Sequence, residues 1–183
     1  LPSIRKTPTG IRYYSKRDLE TYLSDLVNMA KDWVYTKTET SEELYCPNSA
    51  IFQARLIQMQ NRLSKIKDIE NIFPLIVSVA GEIGNNSFDH NLGNWPDVPG
   101  VFFGYDIGRR IIALADRGLG VLETLKRVRP SLADDKEALR VAFTEIISGR
   151  EPERRGNGLK YVRGVVTQYL KGLLFQSGAA KLE

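Results

Sequence analysis

Three polar side chains, Glu82, Asn86 and His90, recur every four residues within the stretch from Pro74 to Asn91. At 100° per residue they continue an apolar stripe formed by Ile72, Leu75, Ile76, Val79 and Ile83. They therefore extend along about 12 Å of a predicted helix face that is apolar where it begins. Burying a carboxylate and an amide there is costly unless a polar group meets them. The pattern favours a ligand or a metal, although such a row is also typical of a solvated helix end.

A second candidate group is Asp116 with Gly118 and Gly120. Two strand-like runs, 101–107 and 110–115, joined at Gly108 and Arg109, predict a hairpin whose second strand ends at Asp116. Glycines after a strand let the backbone approach a ligand while the carboxylate projects beside it. The alternative is an ordinary turn.

A third group, Gly156-Asn157-Gly158-Leu159, precedes a helical pattern that continues to Leu170. Free N–H groups at a helix N-terminus attract phosphate, and glycines leave them accessible. On its own this signal is weak, since glycines also simply form turns.

In this order the three groups resemble the GHKL ATP-binding family, which includes type II topoisomerases, heat-shock chaperones, histidine kinases, MutL-type repair proteins and anti-sigma serine kinases. The resemblance covers about Ile72 to Glu183, and the GEIGNNSFDHN segment is most similar to the anti-sigma kinase version. It implies an α/β fold, a two-layer sandwich with a mixed sheet on one side and helices on the other. ATP would lie between the helix layer and a lid.

The resemblance also implies roles for individual residues. Glu82 corresponds to the catalytic residue that activates a water or a hydroxyl, and Asn86 to the residue that binds the Mg²⁺ ion bridging the triphosphate. Asp116 corresponds to the carboxylate that accepts a hydrogen bond from the adenine amino group. His90 corresponds to a position near the phosphates, where a packing role is the alternative.

The glycines of the resemblance have roles of a different kind. Gly118 and Gly120 would shape the adenine pocket and hinge the lid, and the phosphates would be held by Gly156, Asn157, Gly158 and Leu159. The lid is expected at 121–155, a polar stretch that contains one helical pattern ending at Gly149. One of its arginines, Arg150, Arg154 or Arg155, would meet the γ-phosphate, and Arg154 is included in the predicted ATP-binding set. The alternative is an ordinary surface helix.

Residues 1–70 are predicted to form a helical region before an ATP-binding domain at 71–183. A capping box at Ser15 predicts a helix over 16–36, and Ser49 is predicted to cap a second helix after a loop. These helices would pack on the domain or pair with a second copy as a homodimer. The domain is expected to be truncated at its C-terminus, because the later Gly-Thr motif of the family is missing.

Composition limits the partners. The net charge is +4 and the pI about 9.2, but acidic residues are interleaved with the basic ones, so a nucleic-acid groove is not favoured. No membrane-length apolar run and no signal-peptide pattern occurs in the sequence. With a single cysteine, Cys46, it is typical of a cytoplasmic protein.

Three functions follow as hypotheses. The first is a Mg²⁺-dependent ATPase or a protein kinase acting on Ser or Thr of a partner protein. The second is an ATP-gated interaction module with little or no turnover, and the third is a basic binding protein without nucleotide. Because His90 is the only histidine in the chain, a separate phospho-accepting histidine is not expected.

Overall fold

The structure, a computed structural model, describes residues 5–6, 12–13, 25–147 and 156–183. The chain divides into two compact units, one of Leu1–Tyr45 with Phe102–Ala115, the other of Cys46–Val101 with Asp116–Glu183. This division differs from the predicted boundary at residue 70. Among the described residues, no helix is both long and apolar enough to cross a membrane.

The first unit contains a short antiparallel pair, β1 (Arg5–Lys6) with β2 (Arg12–Tyr13), and helix α1 (Leu26–Tyr35). It also holds most of a three-stranded sheet in the order β3 (Tyr45–Cys46), β4 (Val101–Asp106), β5 (Ile111–Asp116). Trp33 of α1 is buried, and its ring lies 6.0 Å from that of Tyr45 and 6.3 Å from that of Phe102. The predicted hairpin over 101–115 is confirmed.

Helix α1 has its N-cap inside the range that was predicted to be one helix. Asp25 has an extended backbone and its carboxylate accepts a hydrogen bond from the Val27 amide, so it caps α1. A continuous helix over 16–36 is therefore wrong, and the predicted capping box at Ser15 lies outside the described residues.

The second unit consists mainly of helices. They are α2 (Ser49–Leu63), a 3₁₀ turn (Lys67–Ile69), α3 (Phe73–Asn91), α4 (Gly120–Lys126), α5 (Asp135–Thr144) and α6 (Gly158–Tyr169). Helix α3 has the extent that its sequence predicted, with Pro74 in the first turn where no N–H is needed. Helix α6 likewise begins at the predicted glycine pair.

Helix α2 packs on α3 at two glycines. A Cβ at Gly84 would lie 2.1 Å from Cζ of Phe52, and one at Gly81 would lie 3.1 Å from Cδ2 of Leu56. Of the two predicted arrangements, packing on the domain is therefore the one observed for this helix. Its cap is Asn48, whose side chain accepts from the Ile51 amide, and not the predicted Ser49.

Helix α5 belongs to the core of the second unit. Its Ala138, Leu139 and Phe143 are at most 2% exposed and pack with Val162 and Val165 of α6. This helix lies inside the predicted lid, so that part of 121–155 is neither a mobile cover nor an ordinary surface helix. Residues 148–155 of the predicted lid lie outside the described residues.

The chain ends in a hairpin of β6 (Phe175–Ser177) and β7 (Ala180–Leu182), antiparallel with Phe175 opposite Leu182. The rings of Phe175 and Phe143 meet edge to face at 5.2 Å, which attaches the hairpin to α5. The fold is thus mixed α/β. The described strands form three small sheets instead of the single mixed sheet predicted, because this hairpin packs on helices.

Two glycines give a matched test of the packing. Gly84→Ala should lower the free energy of unfolding by about 1–3 kcal/mol, because its methyl group would overlap the buried Phe52 ring. Gly164→Ala in α6 meets nothing within 4 Å and should raise it by about 0.5–1 kcal/mol. Urea unfolding of both variants checks the pair, and equal effects would contradict the close contact of α2 and α3.

Candidate functional site

The carboxylate of Glu82 lies against the first residue of α6. A Cβ at Gly158 would be 1.8 Å from Glu82 Oε1, so glycine alone leaves room for the carboxylate in its present position. Glu82 is half-buried. Because a helix N-terminus carries a partial positive charge, this end of α6 favours the carboxylate beside it. The predicted catalytic residue and the predicted phosphate loop are therefore in contact.

The N-terminus of α6 has the position of a candidate anion site, because a helix begins there at the second of two glycines. Within the described part of the chain, the side chain of its N-cap, Asn157, makes no capping hydrogen bond, and Asn157 is exposed. Gly156 is buried, and a Cβ there would lie 2.3 Å from the backbone oxygen of Ile147. Leu159 is half-buried against the core. The first turn of this helix thus retains N–H groups of the kind that bind anions.

Asp116 is held by two donors. The hydroxyl of Ser87, on α3, donates to Oδ2 at 2.7 Å, and the amide of Gly118 donates to Oδ1 at 2.8 Å. These two hydrogen bonds fix the orientation of the carboxylate. Each oxygen can accept a further bond, so Asp116 is a positioned acceptor at the end of β5.

Asn91 joins the end of α3 to the loop that follows Asp116. Its Nδ2 donates to the carbonyl of Ser87 at 2.8 Å, and its Oδ1 accepts from the Leu119 amide at 2.8 Å. Asn91 is itself 4% exposed, and both bonds are partly buried. A Cβ at Gly118 would lie 2.1 Å from Asn91 Nδ2, which explains why this position is glycine.

The second glycine of this loop has a different reason to be glycine. Gly120 has φ +79°, a left-handed conformation that strains other residues, and it starts α4. The next amide, of Val121, donates to the Ser177 hydroxyl at 2.9 Å. The loop is therefore fixed on one side by α3 and on the other by the β6–β7 hairpin.

The remaining predicted residues stand as follows. Asn86 is half-buried on α3, one turn after Glu82. His90 is half-buried one turn further, and its Nδ1 atom is buried. Arg154, Arg150 and Arg155 lie outside the described residues. The structure therefore brings Glu82 to Gly158 and α3 to the Asp116 loop, while Asn86 and His90 share the helix that joins them.

A further contact fixes α6 beside the site. The ammonium group of Lys160, two residues after Gly158, donates to the carbonyls of Ala142, at 3.4 Å, and Glu145 at the end of α5. Burial lowers the pKa of Lys160. A cation suits the carbonyl end of a helix, so this contact stabilises the packing of α5 on α6.

An ion pair connects the Asp116 loop to the segment that follows α3. Arg117 Nη1 lies 3.2 Å from Asp97 Oδ2, and the Arg117 side chain is only 9% exposed. Asp97 belongs to the segment after α3. The loop from Asp116 to Gly120 is thereby tied to that segment as well as to α3 itself.

One cavity of the second unit lies apart from these residues. It has a volume of about 850 Å³ and lies between α5, α6 and β7, with Leu139, Phe143, Leu170 and Leu182 among its walls. Charged side chains, among them Lys136, Arg140 and Arg163, line it as well. Within the described ranges, no group of three or more His, Cys, Asp or Glu side chains could hold a metal by itself.

Sequence reasoning missed Ser87 and Asn91, which hold the Asp116 loop. The available signal was their spacing of four residues after Ile83, a member of the apolar stripe, which places both on the same side of the helix as Ile83. Their partners, however, follow only from the tertiary structure.

Comparison of the chain with protein-family models, with curated proteins and with solved structures finds no match.

A double-mutant cycle tests the contact of Gly118 with Asn91. Gly118→Ala should lower the free energy of unfolding by about 1–3 kcal/mol, because the Asn91 amide is held by two hydrogen bonds and cannot move aside. In an Asn91→Ala background the same change should cost much less, since the obstructing group is gone. Denaturant unfolding of the four proteins measures the coupling, and strict additivity would refute the contact.

Proposed function

We propose that the second unit binds ATP with Mg²⁺ between α3, the loop after β5 and the N-terminus of α6. The main support is convergence: helix α3 touches both other motifs, through Glu82 at Gly158 and through Ser87 and Asn91 at the Asp116 loop. Two glycine loops that are far apart in the sequence therefore meet the same helix. Their meeting is what a shared ligand requires.

The proposed contacts follow the chemistry of the side chains. Asp116, oriented by two donors, would accept a hydrogen bond from the amino group of adenine. The amide groups at the start of α6 would bind phosphate oxygens. This site would give the second unit the character of a GHKL-type ATP-binding domain.

The residues also suit Mg²⁺. Asn86 and Glu82 supply amide and carboxylate oxygens, which are the donors that Mg²⁺ accepts, and this ion commonly takes its other ligands from phosphates and water. When bound with ATP, the ion would neutralise charge on the phosphates. Asn86 is the residue that we propose to hold it.

Glu82 is the proposed general base. Its carboxylate lies at the α6 N-terminus, where the terminal phosphate would be, so it could take the proton of an attacking water or of a partner's hydroxyl. The new bond forms between that oxygen and the γ-phosphorus, the bond to the β–γ bridging oxygen breaks, and ADP leaves. If the attacking group is water, the chain would be an ATPase. If it is a Ser or Thr hydroxyl of a partner, the chain would be a protein kinase. A cytoplasmic regulatory role is proposed in either case.

Nucleotide binding can be tested by calorimetric titration of ATP with and without Mg²⁺. Wild type should bind more tightly with Mg²⁺, and Asp116→Asn should weaken binding roughly tenfold or more, since a hydrogen bond to a charged group contributes about 1.5–3 kcal/mol. Glu70→Gln, at an exposed acidic residue outside the site, is the charge-matched control and should bind as wild type. Absence of ATP binding by wild type would refute the proposal and favour a basic binding protein.

Turnover requires its own test. Glu82→Gln should reduce ATP hydrolysis roughly 100-fold or more, because a general base contributes that much, while ATP affinity changes little. The rate of phosphate release is measured for wild type, Glu82→Gln and the control Glu70→Gln, which should hydrolyse ATP as wild type does. Equal rates in wild type and Glu82→Gln would remove the catalytic assignment and leave the ATP-gated interaction module.

A further inference from the structure

We propose that Asn91 is a positioning residue that gives the nucleotide site its preference for a base with an amino group, an inference that rests on the function proposed above. Asn91 corresponds to none of the predicted site residues. It would not touch the nucleotide but act through Asp116. Its place at the end of α3, its burial and its two side-chain hydrogen bonds are the observations that carry this role.

Asn91 is bonded to one donor of Asp116, Ser87, and to the neighbour of the other, Gly118. Its Nδ2 binds the carbonyl of Ser87, whose hydroxyl donates to Asp116 Oδ2. Its Oδ1 binds the amide of Leu119, the residue after Gly118, whose own amide donates to Asp116 Oδ1. One side chain therefore supports both donors, and without it each donor loses a neighbour that fixes its position.

The orientation of the Asp116 carboxylate would determine which nucleotide base the site prefers. A carboxylate fixed in place accepts a hydrogen bond from an amino group and repels a carbonyl oxygen at the same position. A carboxylate that can rotate evades the repulsion and loses part of the attraction. Selectivity, and not only affinity, should therefore depend on Asn91.

Inosine triphosphate provides the comparison, since its base carries an oxygen where adenine carries the amino group. Wild type should bind ATP more tightly than inosine triphosphate. In Asn91→Ala the ratio of the two dissociation constants should fall at least fivefold, mainly through weaker ATP binding, with the value for inosine triphosphate changed less than twofold. Asn94→Ala, an exposed asparagine whose side chain donates to the Leu92 carbonyl at 3.1 Å, is the matched control and should keep the wild-type ratio.

A second measurement uses wild type only, so it does not depend on whether the buried substitution Asn91→Ala impairs folding. If the bond from Leu119 to Asn91 supports recognition of the amino group, linkage requires that this recognition strengthen the bond equally. Hydrogen exchange at the Leu119 amide should therefore be slower with saturating ATP than with saturating inosine triphosphate.

The outcomes separate this inference from the proposed function. Wild type that binds neither nucleotide refutes the function and the inference together. Wild type that prefers ATP refutes only the inference if folded Asn91→Ala keeps the full ratio, or if Leu119 exchange is the same with both nucleotides. A loss of affinity that is equal for both nucleotides also overturns it, because that is the signature of a purely structural role.

Discussion

The second unit depends on close contacts of helix α3 with other segments, and these contacts require glycine at the point of approach. Helix α3 approaches α2 where Gly84 leaves room for the Phe52 ring, and it meets α6 where Gly158 leaves room for the Glu82 carboxylate. At its end, Gly118 leaves room for Asn91. In each place a methyl group would overlap an atom that packing or hydrogen bonds hold in position. These glycines thus bring distant segments of the chain to one helix.

Polar side chains are tolerated at these close contacts because each has a hydrogen-bond partner or a helix N-terminus beside it. A buried amide without hydrogen bonds would be destabilising, and Asn91 makes one bond as donor and one as acceptor. Asp116 is surrounded by donors, and Glu82 lies at the positive end of a helix. The polar residues of α3 therefore serve as connectors between elements as well as candidates for chemistry.

The sequence predicted the elements whose signals are local. The extent of α3, the hairpin that ends at Asp116 and the start of α6 follow from hydrophobic periodicity, strand-like runs and glycine pairs. Predictions failed where contacts with residues distant in the sequence determine the structure. Helix α5 looked like part of a polar lid, yet Phe143 is buried by α6 and β6, and Asp25 interrupts what looked like one long helix. Likewise Ser87 and Asn91 are unremarkable in sequence, because their importance comes from a loop that follows Asp116.

The account is tested most directly by a crystal structure of the chain with Mg²⁺ and a non-hydrolysable ATP analogue. It predicts the adenine amino group within hydrogen-bonding distance of Asp116 and the phosphates at the first turn of α6, beside Glu82. A nucleotide seated elsewhere, such as the cavity between α5 and α6, or Asp116 pointing away from the base, would contradict it.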